Sequence, residues 1–345
     1  MAAPIPLCDT SGMSRKRWLE CRMHGPKGDI PYTVGGSDIA AIFGVSPWIT
    51  PKELWLIKKG KISPAKKMNE MQLEMGHLLE PIAAHWYARK TGDKVIDDNI
   101  MYRHADIPYA LADFDRRYIR NSDGKKGILE CKSTSYQKAH EWSKGTYPIY
   151  YELQLRYYLA VADVDIGAFS AVWGNNPEKD HAYPSIERES VKESIIFSKL
   201  EEWIWSLEHD KPPTMDDVEP KVALESLARI YPVSDSSLPT IEFSGKFAKP
   251  LRLILTLQDE IEEHNQEIKR KQEAIKAHSV RIIDAMGEHE HGVFESPDGK
   301  ILIDYITKTQ NRTDTARLKK EYPDIYKELV QTTSGRSLKI TRESV

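Results

Sequence analysis

The sequence has little cysteine, no excess of positive charge and no long apolar run. Its three cysteines, at positions 8, 21 and 131, are odd in number and scattered. That spacing excludes a disulfide framework and the paired pattern of a zinc or iron–sulfur site, and it points to a reducing compartment. No apolar stretch approaches the roughly 20 residues of a membrane span. Residues 1–12 lack the basic-then-apolar pattern of a secretory leader, so the expected location is cytoplasmic. No internal repeat is present. The formal net charge is −3. This excludes a uniformly basic coat for nucleic acid but not a basic groove, since only the groove meets phosphates. The chain has 345 residues, 40% hydrophobic and 29% charged. It is therefore globular, and long enough for one large domain and an accessory one.

What is present centres on residues 110–134. The stretch reads as two strands joined by a turn at Asn121-Ser122-Asp123-Gly124, a cluster of turn-forming residues. Side chains alternate across a strand, so Leu129 and Cys131 form an apolar face while Glu130 and Lys132 share the other. On the preceding strand, expected over 108–119, Asp113 and Asp115 also share a face. A hard divalent cation such as Mg²⁺ takes oxygen ligands. Asp115 and Glu130 offer carboxylates, with Asp113 as the rival acid, and the main-chain carbonyl of Cys131 offers a third oxygen. Lys132 can orient or deprotonate a water and hold a scissile phosphate, whose in-line displacement needs charge neutralisation. The plain alternative is a cross-strand ion pair on a solvated face.

Elsewhere the pattern alternates between helices and strands. Residues 13–23 read as a helix burying Trp18, Leu19 and Met23. After a Gly- and Pro-rich loop, Ser37 reads as the N-cap of a helix through Phe43, ended by Gly44. A serine behind two glycines at a helix start is also a seat for phosphate. Pro51–Gly60 is a short helix. Residues 68–91 form a longer one, with Met71, Leu78, Leu79, Ile82, Trp86 and Tyr87 mostly as core. A break or new first turn is expected at Pro81. Val95–Tyr102 reads as a strand, Tyr150–Ala162 as a helix, Asp165–Trp173 as a strand and Val191–Leu207 as a helix. Gln154 and Tyr158 lie four apart and share a helical face; Gln154 could contact the scissile phosphate or hold an acid in place.

Composition shifts after His209. Residues 1–215 are read as the main domain, 216–249 as a linker and 250–345 as a long helix with a small α+β extension. Isoleucine recurs every seven residues at 254, 261, 268, 275 and 282. The companion positions, Leu257, His264, Lys271, His278 and Ala285, are mostly polar, so the stripe is narrow and suits packing on a partner surface. A hairpin is expected over Val293–Thr307, a helix over 313–330 and a last strand over Ser337–Thr341.

Four blocks in order carry a family resemblance across roughly residues 15–175. They are Trp18-Leu19-Glu20-Cys21-Arg22, Gly35 to Trp48, Gly76-His77-Leu78-Leu79-Glu80-Pro81 with the helix after it, and Tyr151 to Val161. With the Asp115…Glu130-x-Lys132 set they resemble the YqaJ-type viral recombinases, the lambda-exonuclease-like branch of the PD-(D/E)XK nucleases. The resemblance implies an α+β fold with a restriction-endonuclease-like central mixed sheet flanked by helices. It implies Mg²⁺ as cofactor, with Mn²⁺ as substitute, and Asp115 rather than Asp113 as the metal ligand beside Glu130 and Cys131. Glu80 becomes a further acid near the metal, Lys132 and Gln154 complete the catalytic set, and Arg22 and Ser37 bind the terminal 5′ phosphate of DNA. The family commonly carries a second glutamine two residues after the first; here that residue is Arg156, and no role is carried to it.

The expected activity is a deoxyribonuclease digesting duplex ends 5′ to 3′, releasing 5′-phosphomononucleotides and leaving a 3′ strand for a single-strand annealing recombinase. A homo-oligomer, with a trimeric ring as one form, is implied by the resemblance alone. The alternatives are an endonuclease of the same fold and a non-catalytic DNA-binding or assembly protein.

Overall fold

The computed structural model describes residues 3–64, 70–176, 178–330 and 336–341. The chain divides into two compact units, Met1–Pro232 and Val233–Val345. The first unit runs β1 (Ile5–Asp9), α1 (Arg15–His24), α2 (Gly36–Ile42), α3 (Pro51–Lys58), α4 (Glu70–Thr91), β2 (Lys94–Asp97), β3 (Ile100–Arg103), β4 (Leu111–Ala112), β5 (Arg116–Ile119) and β6 (Lys126–Ser133). After a run of 3-10 turns come α5 (Ile149–Ala162), β7 (Ile166–Val172), β8 (His181–Ala182), β9 (Ser185–Glu187), α6 (Ser190–Glu208) and α7 (Pro220–Ile230). The class is α+β with a central mixed sheet flanked by helices, as the resemblance implied.

That sheet has the order β2-β5-β6-β7-β8, with β9 also on β7. β2, β5 and β6 pair antiparallel, whereas β6 and β7 pair parallel, Glu130 opposite Phe169 and Lys132 opposite Ala171. A parallel pair needs a crossover, and α5 supplies it. β6 and β7 are therefore covered on both faces, which is why β7 reads as the unbroken run IGAFSAV and is buried throughout. On one face Leu129, Cys131, Ala168 and Val172 pack on Ala83, Ala84 and Tyr87 of α4. On the other, Ile128 and Phe169 join Leu155, Leu159 and Trp142 in the main core.

Several local expectations are corrected. The strand expected over 108–119 is two, because residues 113–115 leave the ladder between β4 and β5. The strand expected over 95–102 is also two, β2 in the large sheet and β3 in a small sheet β1-β3-β4. α4 runs unbroken through Pro81. Pro81 faces solvent while buried Ala83, Ala84 and Tyr87 pin the following turn to the sheet, so tertiary packing overrides the breaker. The face that α4 buries is this small-residue one. Met71, Leu78 and Ile82 are exposed. In α1, Leu19 is exposed and Cys21 is the buried residue. The span 216–249 holds α7, whose Ser226 meets Thr50 and whose Arg229 clamps Glu53.

The second unit opens with α8 (Ala248–Met286), a single helix of 39 residues. A hairpin follows, β10 (His291–Ser296) with β11 (Gly299–Asp304). The helix expected over 313–330 is two, α9 (Thr315–Glu321) and α10 (Pro323–Leu329). Pro323 starts the second, as its fixed φ favours. Residues 337–341 form no strand; among the described residues they pair with nothing. No helix among the described residues is long and apolar enough to cross a membrane.

Candidate active site

Strand β6 presents Glu130 and Lys132 on one face. Lys132 Nζ donates to Glu130 Oε1. Gln154, on the crossover helix α5, donates its Nε2 to the same oxygen at 2.6 Å and also reaches the Tyr158 hydroxyl at 3.3 Å. Glu130 is 2% exposed, and its other oxygen, Oε2, is buried with no hydrogen-bond partner. An unsatisfied buried carboxylate oxygen costs on the order of 1–3 kcal/mol or more. Such a group calls for an explanation, and a bound ion or a catalytic role is one.

Asp115 sits where the chain re-enters the sheet. Its Oδ2 accepts from the backbone N–H of Cys131 at 2.7 Å. Asp113, two residues earlier, goes elsewhere: it accepts from Trp18 Nε1 at 2.5 Å. The two aspartates therefore do not share one strand face, because the ladder is broken between them. Glu80, on α4, is held by Arg116 at 2.6 Å. Cys131 turns its thiol into the α4 packing cluster, where burial first, then the charges of Asp115 and Glu80, push its pKa up. Its sulfur stays protonated, leaving the main-chain carbonyl as the oxygen it can offer.

The electrostatics show an excess of negative charge. Burial, then the charge of Asp115, raises Glu130 to about 8 despite Lys132. Glu80 is raised by burial and by Asp115. Burial alone would lower Lys132, but Glu130 and Asp115 outweigh it and raise its pKa, holding the ammonium charged. With all three carboxylates ionised, Lys132 and Arg116 leave one negative charge over, which a cation would balance. Among the described residues no three His, Cys, Asp or Glu side chains gather into a ready ligand set. The donors that fit a hard cation are two carboxylates, Asp115 and Glu130, and the carbonyl of Cys131. The unpaired Glu130 Oε2 is the observation that favours this fit.

The second group of expected residues also converges. Arg22 donates to Ser37 Oγ at 2.9 Å and lies 3.5 Å from Asp38. Ser37 is not the N-cap. That position is Gly35, and Ser37 lies one residue inside α2. Asp38 takes the capping role, accepting from the Gly35 N–H at 3.0 Å. Burial acts to raise its pKa, but Lys58 and Arg22 hold the carboxyl below its ordinary value. Tyr158 links the two groups: its ring packs against Gly36, where a Cβ would come within 2.4 Å.

Sequence reasoning missed Arg116, Asp38, Lys58 and the Trp18–Asp113 pair. The Arg22 guanidinium lies 4.8 Å from the Trp18 ring, so Asp113 holds the surface on which Arg22 rests. Only long-range packing reveals these partners.

Residues 17–165 match the YqaJ-like viral recombinase domain. Over this segment the chain is similar to that family. The whole chain is 28% identical, over 341 residues and 98% of each chain, to the YqaJ protein of Bacillus subtilis (strain 168). Among solved structures, the alkaline exonuclease LHK-Exo from Laribacter hongkongensis aligns at 17% identity and a TM-score of 0.45. The alignment covers 57% of this chain and 94% of that one. A phage related exonuclease from Haemophilus somnus 129PT aligns at 14% identity and a TM-score of 0.37, over 51% and 91%. The side chains expected from the resemblance, Arg22, Ser37, Glu80, Asp115, Glu130, Lys132 and Gln154, all lie within the matched segment.

Proposed function

We propose that this protein is a divalent-metal-dependent DNA exonuclease. It loads on duplex ends, digests one strand 5′ to 3′ and leaves a 3′ strand for an annealing recombinase. The observation that carries the reading is the buried, unpaired Oε2 of Glu130, flanked by Asp115 and Lys132 on the central sheet. Asp115, Glu130 and the Cys131 carbonyl would hold the cation, Mg²⁺ or in its place Mn²⁺. When bound, such an ion neutralises phosphate charge and activates the attacking water.

The chain's own residues do the rest. Gln154 fixes Glu130 through Oε1, so the bare Oε2 keeps one orientation. Lys132, held charged, neutralises the scissile phosphate and steers the water's proton. Glu80, restrained by Arg116, adds an acid at the rim. Water adds to phosphorus and the P–O3′ bond breaks. The released mononucleotide keeps its 5′ phosphate, and the shortened strand begins with a new one. Arg22 and Ser37 form the seat for that terminal phosphate; a guanidinium fork suits its geometry. The protein acts as a homo-oligomer, with a ring of three as the form that would enclose DNA.

The test is digestion of linear duplexes labelled separately at the 5′ and 3′ ends, with and without chelator. The 5′ label should leave first as mononucleotide, and chelator should stop all release. Earlier loss of the 3′ label, or indifference to chelator, would overturn the proposal.

A further inference from the structure

Trp48 is 57% exposed, although the loop that carries it is tied down by hydrogen bonds. Its backbone N–H donates to the Oγ of buried Ser46 at 3.3 Å. Its carbonyl accepts from Arg229 at 3.0 Å, and Arg229 is clamped to buried Glu53 by two contacts of 2.8 Å. More than half of this large aromatic is left outside the packing, on a backbone that is tied down. The indole stands at the end of an aromatic row that leads to the catalytic lysine. Its ring lies 5.1 Å from Tyr150 and 6.2 Å from Tyr151. The Tyr151 ring in turn lies 5.0 Å from Lys132 Nζ. Tyr150 is oriented by its hydroxyl on Glu141 at 3.2 Å. In sequence, Trp48 follows α2, the helix that bears Ser37.

We propose that Trp48 is a stacking platform for an unpaired nucleobase next to the scissile phosphate. The proposal rests on the nuclease reading above. A strand cannot place its phosphate at Lys132 while its terminal bases stay paired and stacked in the duplex. An exposed indole beside the site offers each freed base a flat partner without reading its identity, as sequence-tolerant digestion requires. Tyr150 and Tyr151 pack against the indole, and more than half of its surface stays open to a base.

The experiment measures DNA binding by fluorescence anisotropy, without divalent metal so that nothing is cut. Intact duplexes are compared with duplexes carrying one abasic nucleotide, moved along the first few positions of each strand. Wild-type protein should lose about tenfold in affinity at one position, the scale of one lost base–aromatic stack. Trp48→Ala should lose about as much on intact DNA and nothing further on the abasic duplex. Trp48→Phe should restore most of the affinity. Thermal unfolding of each variant separates a local loss from misfolding. Affinity of Trp48→Ala equal to wild type, or abasic and alanine losses that multiply, would overturn the platform and leave the indole as a protein-docking feature. Failure of the nuclease reading looks different: wild-type protein would neither bind nor cut DNA ends, and the platform would fall with it.

Discussion

Glu130 has one oxygen bonded twice and the other bare. This imbalance makes it the most informative single residue. Lys132→Ala and Glu130→Ala should each lower cleavage by about 100-fold or more, since each removes charge that is used in the transition state. DNA binding should stay measurable, because Arg22 and Ser37, the proposed seat for the terminal phosphate, are left intact. Undiminished cleavage in either variant would defeat the assignment. The raised pKa of Glu130, about 8, also has a sign that can be tested. Between the ordinary carboxylate value and about 8, the folded protein holds a proton that the unfolded chain has lost. Stability therefore falls as pH rises through that window. A cation on the carboxylate form offsets the fall and needs to displace no proton once Glu130 is ionised. Added Mg²⁺ should raise the unfolding temperature more at about pH 8.5 than at about pH 6. Glu130→Gln should lose most of that gain. Equal gains at both pH values would rule out Glu130 as the coupled group.

At the scale of elements, the site depends on how closely α2 approaches α5. Gly36 makes that approach possible, since a Cβ there would meet the Tyr158 ring at 2.4–2.8 Å. Tyr158 supports Gln154, and Gln154 supports Glu130. Gly36→Ala should cost about 1–3 kcal/mol of stability, the usual range for overpacking a tight core. It should also reduce cleavage, because the displaced tyrosine unseats Gln154. Denaturant melts and end-labelled digestion report the two effects separately. Full activity in this variant would mean that α2 and α5 can part without disturbing the site. Helix α4 gives a second lesson at this scale. Its Ala83, Ala84 and Tyr87, not Met71, Leu78 or Ile82, face the sheet, and this brings Glu80 close to Arg116 and Asp115.

At the scale of the molecule, every residue assigned to cleavage lies in the first unit, Met1–Pro232. The second unit buries little of its own apolar surface. Ile261, Ile268 and Ile275 of α8 are more than half exposed, as are Val293, Phe294 and Leu302 of the hairpin. A lone helix with an uncovered stripe gains little from packing, so this unit suits attachment better than chemistry. A chain ended after Pro232 should still cut linear duplexes in the presence of Mg²⁺. The same chain and the full one should both leave covalently closed plasmid intact. Rapid relaxation of closed circles would favour the endonuclease alternative, and loss of all cleavage on truncation would move part of the site into the second unit.

The sequence by itself determined the class of the fold, the order of its blocks and the pairing of Glu130 with Lys132. These features are local: alternation along a strand puts neighbours two apart on one face whatever surrounds them. The long helix was legible for the same reason, since a seven-residue repeat needs no partner to be read. Tertiary structure alone separated Asp113 from Asp115. The ladder breaks between β4 and β5, and the backbone N–H of Cys131 captures one acid while Trp18 captures the other. It also carried α4 through Pro81, moved the capping role from Ser37 to Asp38, and placed Trp48 at the end of an aromatic row leading to Lys132. Each of these depends on contacts between residues far apart in the chain, and no periodicity or spacing encodes which distant partner will be nearest.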